Sequence, residues 1–271
     1  MSLLQFPPTP RETAQAAEAA FGKGNLYLTI GDRINRFCLG VDWADLYGSA
    51  KPVSAISMLA FVTLFQFVED LADYQAAEAL RVRVDWKYAL HLPLDNPGFD
   101  GSALCDFRRR LFHHPAAMQA FQGILTRLLD FDLLCYPGKQ PASARDVLMT
   151  VCGLSRLEAL SRGMQVTIET LAAHDPKWLS TIARPYWYER YRDTSSTWRR
   201  PANRQEREAT ACAIAADAWY LLHMIAAAHK PPIALLPEVL TLREMVEEPL
   251  EPRENQVKSP SWGCPQCISA F

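Results

Sequence analysis

The run Leu104–His114, LCDFRRRLFHH, places three consecutive arginines, a carboxylate and two histidines within a few helical turns. A guanidinium presents its N–H donors in a planar fork. That fork fits a phosphate, or the O6/N7 edge of guanine, two hydrogen bonds at a time. Helical spacing sorts these side chains by face. Leu104, Phe107 and Leu111 fall on one side, with Asp106, Arg109, Arg110 and His113 on the other. A helix anchored by one stripe and presenting arginines on the opposite one has the layout of a DNA-reading helix. An ordinary amphipathic surface helix with a solvated basic face has the same spacing, so spacing alone leaves both readings open.

The elements that must position this helix are legible around it. HLPLDNPGFDGS, residues 91–102, stacks Pro93, Asn96-Pro97 and Asp100-Gly101 too densely for any helix or strand to continue through it. Ser102 is expected to cap the new helix with its side-chain oxygen. Before the hinge, Gln75–Val82 turns Ala76, Ala77 and Leu80 inward and leaves Arg81 and Arg83 outside. The DNA-contact set expected from these positions is Arg81, Arg83, Lys87, Ser102, Arg108, Arg109, Arg110 and His113. Arg81, Arg83 and Lys87 are assigned to flanking phosphates and the last helix to the groove.

Further out the chain alternates helix and breaker. Thr13–Phe21 and Leu26–Cys38 read as two amphipathic helices split by Gly22-Lys23-Gly24-Asn25, a turn too short for a phosphate loop. Pro52 suits the start of Val53–Glu69, which is apolar nearly all round and therefore a central core helix. Ala116–Leu134 carries Phe121, Ile124, Leu125 and Leu128 at helical spacing and closes the first bundle. Cys135-Tyr136-Pro137-Gly138 marks the boundary. Ala144–Ala172 continues as helix, with soft points at Gly153 and Gly163. Ala209–Ala228 has the length of a membrane span. Asp217 near its centre, at roughly 3 kcal/mol on insertion scales, assigns it instead to a buried helix with Ile214, Ala218, Leu221 and Ile225 as its stripe. A short helix is expected around Glu238–Glu247.

A second basic patch, Ala183–Arg207, interleaves arginines with Tyr186, Trp187, Tyr188, Tyr191 and Trp198. Such a pattern either clasps a nucleic-acid backbone or fills a core with its rings while the arginines pair with nearby carboxylates. The net charge of -2 confines any DNA binding to local patches. Hydrophobic residues at 49% and charged ones at 21% describe an ordinary globular chain. The first residues show no secretory signal. Seven scattered cysteines fit reduced thiols better than a disulfide framework. Cys264-Pro265-Gln266-Cys267 is a lone CxxC, half of the four ligands a structural zinc needs, so no metal is assigned to it.

WKYALHLPLDNPGFDGSALCDFRRRL, preceded by FQFVEDLADYQAAEALRVRVD, resembles the N-terminal domain of insertion-sequence transposases of the InsH type. The resemblance is close over about Asp42–His114 and looser to about Pro237. It implies a helical DNA-binding segment ahead of a ribonuclease H-like domain, whose three carboxylates (the DDE set) hold divalent metal for strand transfer. Where that family carries its first catalytic aspartate on a short strand, this chain has Ser143, with Asp146 three positions on. A serine hydroxyl is a weak neutral ligand and does not replace a carboxylate. The remaining carboxylate region is not found, so the chain reads as cut before most of the catalytic domain.

The expectation is therefore an all-α, multi-helix bundle with a helix-turn-helix-like N-terminal part and a second helical unit. Residues 1–134 form the DNA-binding domain, 135–248 the second helical region and 249–271 an irregular tail. Function is expected to be binding of transposon-end-like double-stranded DNA without strand transfer by this chain alone, with no catalytic residue, no cofactor and no metal. Homo-oligomer formation is left open, no membrane is expected, and the location is cytoplasmic and nucleoid-associated. The alternatives are a helical protein-interaction module, a transposase relic without function, and an active transposition enzyme completed by another chain.

Overall fold

A computed structural model of the chain describes residues 6–22, 24–48, 51–134, 141, 143–191, 204–228 and 231–247. Among them every regular element is a helix, as the three- and four-residue periodicity requires. The chain divides into two compact units, Met1–Ser155 and Arg156–Phe271.

In the first unit, α1 (Arg11–Ala20), α2 (Leu26–Gly31), α3 (Ile34–Phe37) and α4 (Ala44–Tyr47) precede α5 (Val53–Glu69). From Ile56 to Val68 nearly every α5 residue is buried, because the sequence supplies no polar face. Its few buried polar groups are satisfied. Ser57 Oγ accepts the Trp43 indole N–H at 2.8 Å, and Thr63 Oγ1 donates to the Leu59 carbonyl at 2.8 Å. Asp70 takes a left-handed φ of 54° at the C-terminus of α5, and the chain bends by 107° into α6 (Asp73–Val82). Next come α7 (Val84–Ala89), the connection through residues 90–101, α8 (Ser102–His113) and α9 (Pro115–Asp130). Pro115 occupies the first turn of α9, where its missing N–H costs nothing.

One expectation is revised. The helix expected over Leu26–Cys38 is broken after Gly31. At that point α2 meets α7 so closely that a Cβ on Gly31 would lie 2.8 Å from Tyr88 Cδ1, while Asp32 accepts the Tyr88 hydroxyl at 2.7 Å. Packing against a helix distant in sequence sets the break. The first compact unit takes in the start of the long helix that follows, as far as Ser155. Ala144, Val147, Leu148 and Val151, at the start of α10 (Ala144–His174), are buried in the first core with Phe121, Ile124 and Leu128.

The second unit holds the rest of α10 with α11 (Pro176–Ile182), α12 (Trp187–Tyr191), α13 (Arg204–Ala227), α14 (Pro231–Ala234) and α15 (Pro237–Glu247). Asp175 caps α11 by accepting the Trp178 N–H at 3.0 Å. Gly163 lets α15 approach α10, since its Cβ would stand 3.1 Å from Met245 Sδ. On α13 the stripe Ile214, Ala218, Leu221 and Ile225 is buried in this core. The segment Ala209–Ala227 is long and apolar enough to cross a membrane by length and composition. Its Asp217, 2% exposed, accepts three hydrogen bonds within the unit: Tyr186 Oη at 2.8 Å, Arg190 Nη1 at 2.5 Å and Tyr191 Oη at 2.8 Å. Those donors satisfy a carboxylate that hydrocarbon would leave bare.

Candidate nucleic-acid interface

The connection ahead of α8 is held in place from several sides. His91, at φ 54°, brings Nε2 to 2.9 Å from the Gly31 carbonyl and Nδ1 against the Pro7 carbonyl. Thr13 Oγ1 donates to the Leu92 carbonyl at 2.8 Å. Asn96 Oδ1 accepts the N–H of Gly98, whose φ of 73° suits a residue without Cβ. Gly101 passes the backbone of α6 so tightly that a Cβ would meet Asp73 C at 3.1 Å. The expected capping residue is corrected here. Ser102 is the first residue of α8 and not its cap; Asp100 Oδ1 accepts the Ser102 N–H at 2.8 Å and is held below the usual carboxylate range by its bonds to Ser102. An aspartate two residues ahead of the helix satisfies the free N–H as an Asx turn.

Leu104, Phe107 and Leu111 are fully buried, and the Phe107 ring meets Trp43 and Phe121 edge-on at centroid distances of 6.1 and 6.3 Å. The outer face carries Asp106, Arg109, Arg110 and His113. Arg109 is the most open, with 68% of its side chain exposed, and its Nη2 donates to Asp106 at 2.7 Å. Arg110 donates through Nε to Asp106 at 2.9 Å and through Nη1 to the Leu46 carbonyl at 3.2 Å. Partial burial raises the Asp106 carboxyl, but the N–H groups of Arg109 and Arg110 outweigh it and bring the pKa down to about 2.

The other expected contacts part company. Arg108 is 2% exposed and points inward, donating through Nη1 and Nη2 to the two Asp73 oxygens at 2.6 Å each. It sits four residues from Leu104 and one from Phe107, at the edge of the apolar face, where the α6 carboxylate receives it. Lys87 is 3% exposed, with Nζ on the Leu94 carbonyl. Arg83 is bound to Glu69 at 2.6 Å and to Asp85 at 2.6 Å, and lies over the Tyr27 and Trp86 rings. Arg81 is half exposed, paired with Glu78 and 3.3 Å from the Pro97 carbonyl. The structure therefore brings Arg109, Arg110 and His113 to one open face and draws Arg83, Lys87 and Arg108 into structural pairs.

Sequence reasoning missed Tyr47 and Lys51. The Arg110 guanidinium lies 4.5 Å from the Tyr47 ring centroid and Lys51 Nζ lies 4.6 Å from it. Burial, helped by the Asp106 charge, pushes the Tyr47 phenol up to about 12, so it stays neutral at working pH. Lys51 and Arg110 thus share the Tyr47 ring, while Arg109 and Arg110 share the Asp106 carboxylate. No local sequence signal joins residues 47–51 to residues 106–110, because the contact is made between elements distant in the chain.

The second basic patch is mixed where it is described, with Tyr186 and Tyr188 exposed at 40% and 68%. Trp187 and Tyr191 are buried, and Arg190 pairs with Asp217. Arg192, Trp198, Arg199 and Arg200 lie outside the described residues, as does the CxxC at 264–267. Ser143 and Asp146 open α10 together: the Asp146 N–H donates to Ser143 Oγ at 3.2 Å, and Ser143 Oγ donates to Asp146 Oδ2 at 3.0 Å. This is a helix-capping arrangement on a helix rather than a strand. Among the described residues no three His, Cys, Asp or Glu side chains converge, so they do not fit the divalent-metal set that the DDE resemblance implies.

No curated protein and no solved structure matches the chain. Residues 16–110, from within α1 to Arg110 of α8, match the family described as Transposase domain (DUF772), and over that stretch the chain is similar to transposase-family proteins.

Proposed function

We propose that the first unit binds double-stranded DNA through the outer face of α8, as the DNA-binding part of an InsH-type insertion-sequence transposase, without strand-transfer activity of its own. The observation that carries this reading is the division of α8 into a buried stripe and an open cationic face. Leu104, Phe107 and Leu111 anchor the helix, while Arg109 stands 68% exposed beside Arg110 and His113. An exposed arginine tied only to a half-buried carboxylate on its own helix can exchange that partner for a guanine edge or a phosphate. The match of residues 16–110 to a transposase domain supports the same partner.

Selection from a randomised duplex library tests it. Arg109→Ala should cost about 1–3 kcal/mol on the selected site and relax the preference at one base position, with no change in melting temperature. Equal affinity of the parent and the Arg109→Ala, Arg110→Ala double variant would refute the reading. The absence of strand transfer rests on Ser143 and Asp146 being engaged with each other at a helix start. Labelled duplex in Mg²⁺ or Mn²⁺ should stay intact with the parent and with Ser143→Asp, since one carboxylate cannot clamp two metals. Nicking by the parent, abolished in Asp146→Asn, would overturn this part.

A further inference from the structure

The first unit holds its cations with carboxylates, carbonyls and rings, and Arg83 and Arg110 have both a carboxylate and a ring. Arg83, Arg108 and Lys87 are matched to carboxylates or buried on a carbonyl, and so are neutralised or removed from solvent. A second group is held on aromatic rings. Lys51 and Arg110 lie on Tyr47 at 4.6 and 4.5 Å, and Arg33 and Arg36 lie on Phe131 at 5.2 and 5.5 Å. A ring orients a cation through its quadrupole without cancelling the charge. Arg33 and Arg36 are exposed, Phe131 is 37% exposed, and no ion pair holds Lys51, Arg33 or Arg36 among the described residues. These positions combine fixed geometry with uncompensated charge, the combination a phosphate contact needs.

Both ring-held pairs adjoin one concave surface. The connection at Gly40, Asp42 and Trp43 faces α9 across a cleft of about 290 Å³, lined by Leu46, Gly123 and Arg127 among others, so that the cleft itself carries one acidic and one basic side chain. Tyr47 follows Leu46 in the chain. Arg127, which donates to the Phe37 carbonyl at 2.9 Å, precedes Phe131 by one helical turn. The lining extends from Ala116 to Arg127, about 16 Å of helix. That length is on the scale of the ~12 Å width of the B-DNA major groove.

Resting on the DNA-binding reading above, we propose that the ring-held cations Lys51, Arg110, Arg33 and Arg36 are the phosphate-backbone contacts of the first unit, in place of Arg83 and Lys87. The Tyr47 pair sits beside the reading helix and the Phe131 pair grips the backbone further along. The partner is duplex DNA because Lys51, Arg33 and Arg36, which hold no ion pair among the described residues, continue from the Asp106-paired cationic face of α8, a surface that complements a line of phosphates.

Fluorescence anisotropy of the full chain with a labelled mixed-sequence duplex, at salt from about 50 to 200 mM, tests this. Lys51→Ala and Arg36→Ala should each lower the salt slope by about 0.9. Each should weaken binding about 8-fold near 0.1 M salt, taking that slope change from a common value at 1 M. Sequence preference should be unchanged, and Lys51→Arg should restore the slope. Arg83→Ala, assayed where circular dichroism shows it folded, should keep the parent slope. Parent-like slopes for both Lys51→Ala and Arg36→Ala would overturn the proposal and leave α8 binding intact. A parent chain with no affinity for duplex would overturn the DNA-binding reading itself, and this proposal with it.

Discussion

Arg108→Ala separates a structural role from a DNA contact more cleanly than any other single change. The guanidinium is 3% exposed and meets Asp73 bidentately at 2.6 Å, while Asp73 is 16% exposed and also accepts Gln66 Nε2 at 2.9 Å. Removing the arginine strands a carboxylate whose remaining donors are few. Breaking a buried pair from one side costs about 3–5 kcal/mol, and the partial exposure of Asp73 places this case near 3. For a unit of this size that is a fall of roughly 6–12 °C in melting temperature. The double change Arg108→Met, Asp73→Leu should recover much of the loss, because no charge is then left unpaired. Urea unfolding followed by circular dichroism, with the α8-containing unit tracked by hydrogen exchange, reads the effect. Where the variant is still folded, its DNA salt slope should equal the parent's. An Arg108→Ala chain that melts with the parent but loses a phosphate's share of salt dependence would refute the inward placement.

Phe107→Ala empties a fully buried site between Trp43 and Phe121 and should cost about 3–5 kcal/mol by chemical denaturation. Gly31→Ala puts a methyl 2.8 Å from the Tyr88 ring, and should lower stability by about 1–3 kcal/mol as α2 is pushed off α7. Asp106 has its folded-state pKa lowered from 3.8 to about 2, so its stabilising contribution is present above pH 4 and fades as pH falls through 2. The stability difference between the parent and Asp106→Asn should therefore shrink across that window, and a difference that persists below it would contradict the pairing with Arg109 and Arg110.

Local chemistry made much of this legible in the sequence. Periodicity placed Val53–Glu69 at its observed limits, and Leu104, Phe107 and Leu111 on the anchored side of α8. Turn residues marked the connection at 91–101, and Asp217 marked α13 as a helix whose carboxylate must find donors. Each of these follows from residues within a few positions of one another, where backbone geometry dictates who faces whom. Tertiary structure decided the fate of individual cations. Arg108, Arg109 and Arg110 are adjacent and chemically identical. Only the arrival of Asp73, 35 residues earlier in the chain, draws the first inward, and Tyr47 and the Leu46 carbonyl, more than 60 residues away, steady the third beyond its bond to Asp106. The break after Gly31 and the extension of the first unit to Ser155 arise the same way, from contact with α7 and with the first core. A charge has no periodicity of its own. Its role is set by which opposite charge, ring or carbonyl the fold carries to it, and that distance is created only when the helices pack.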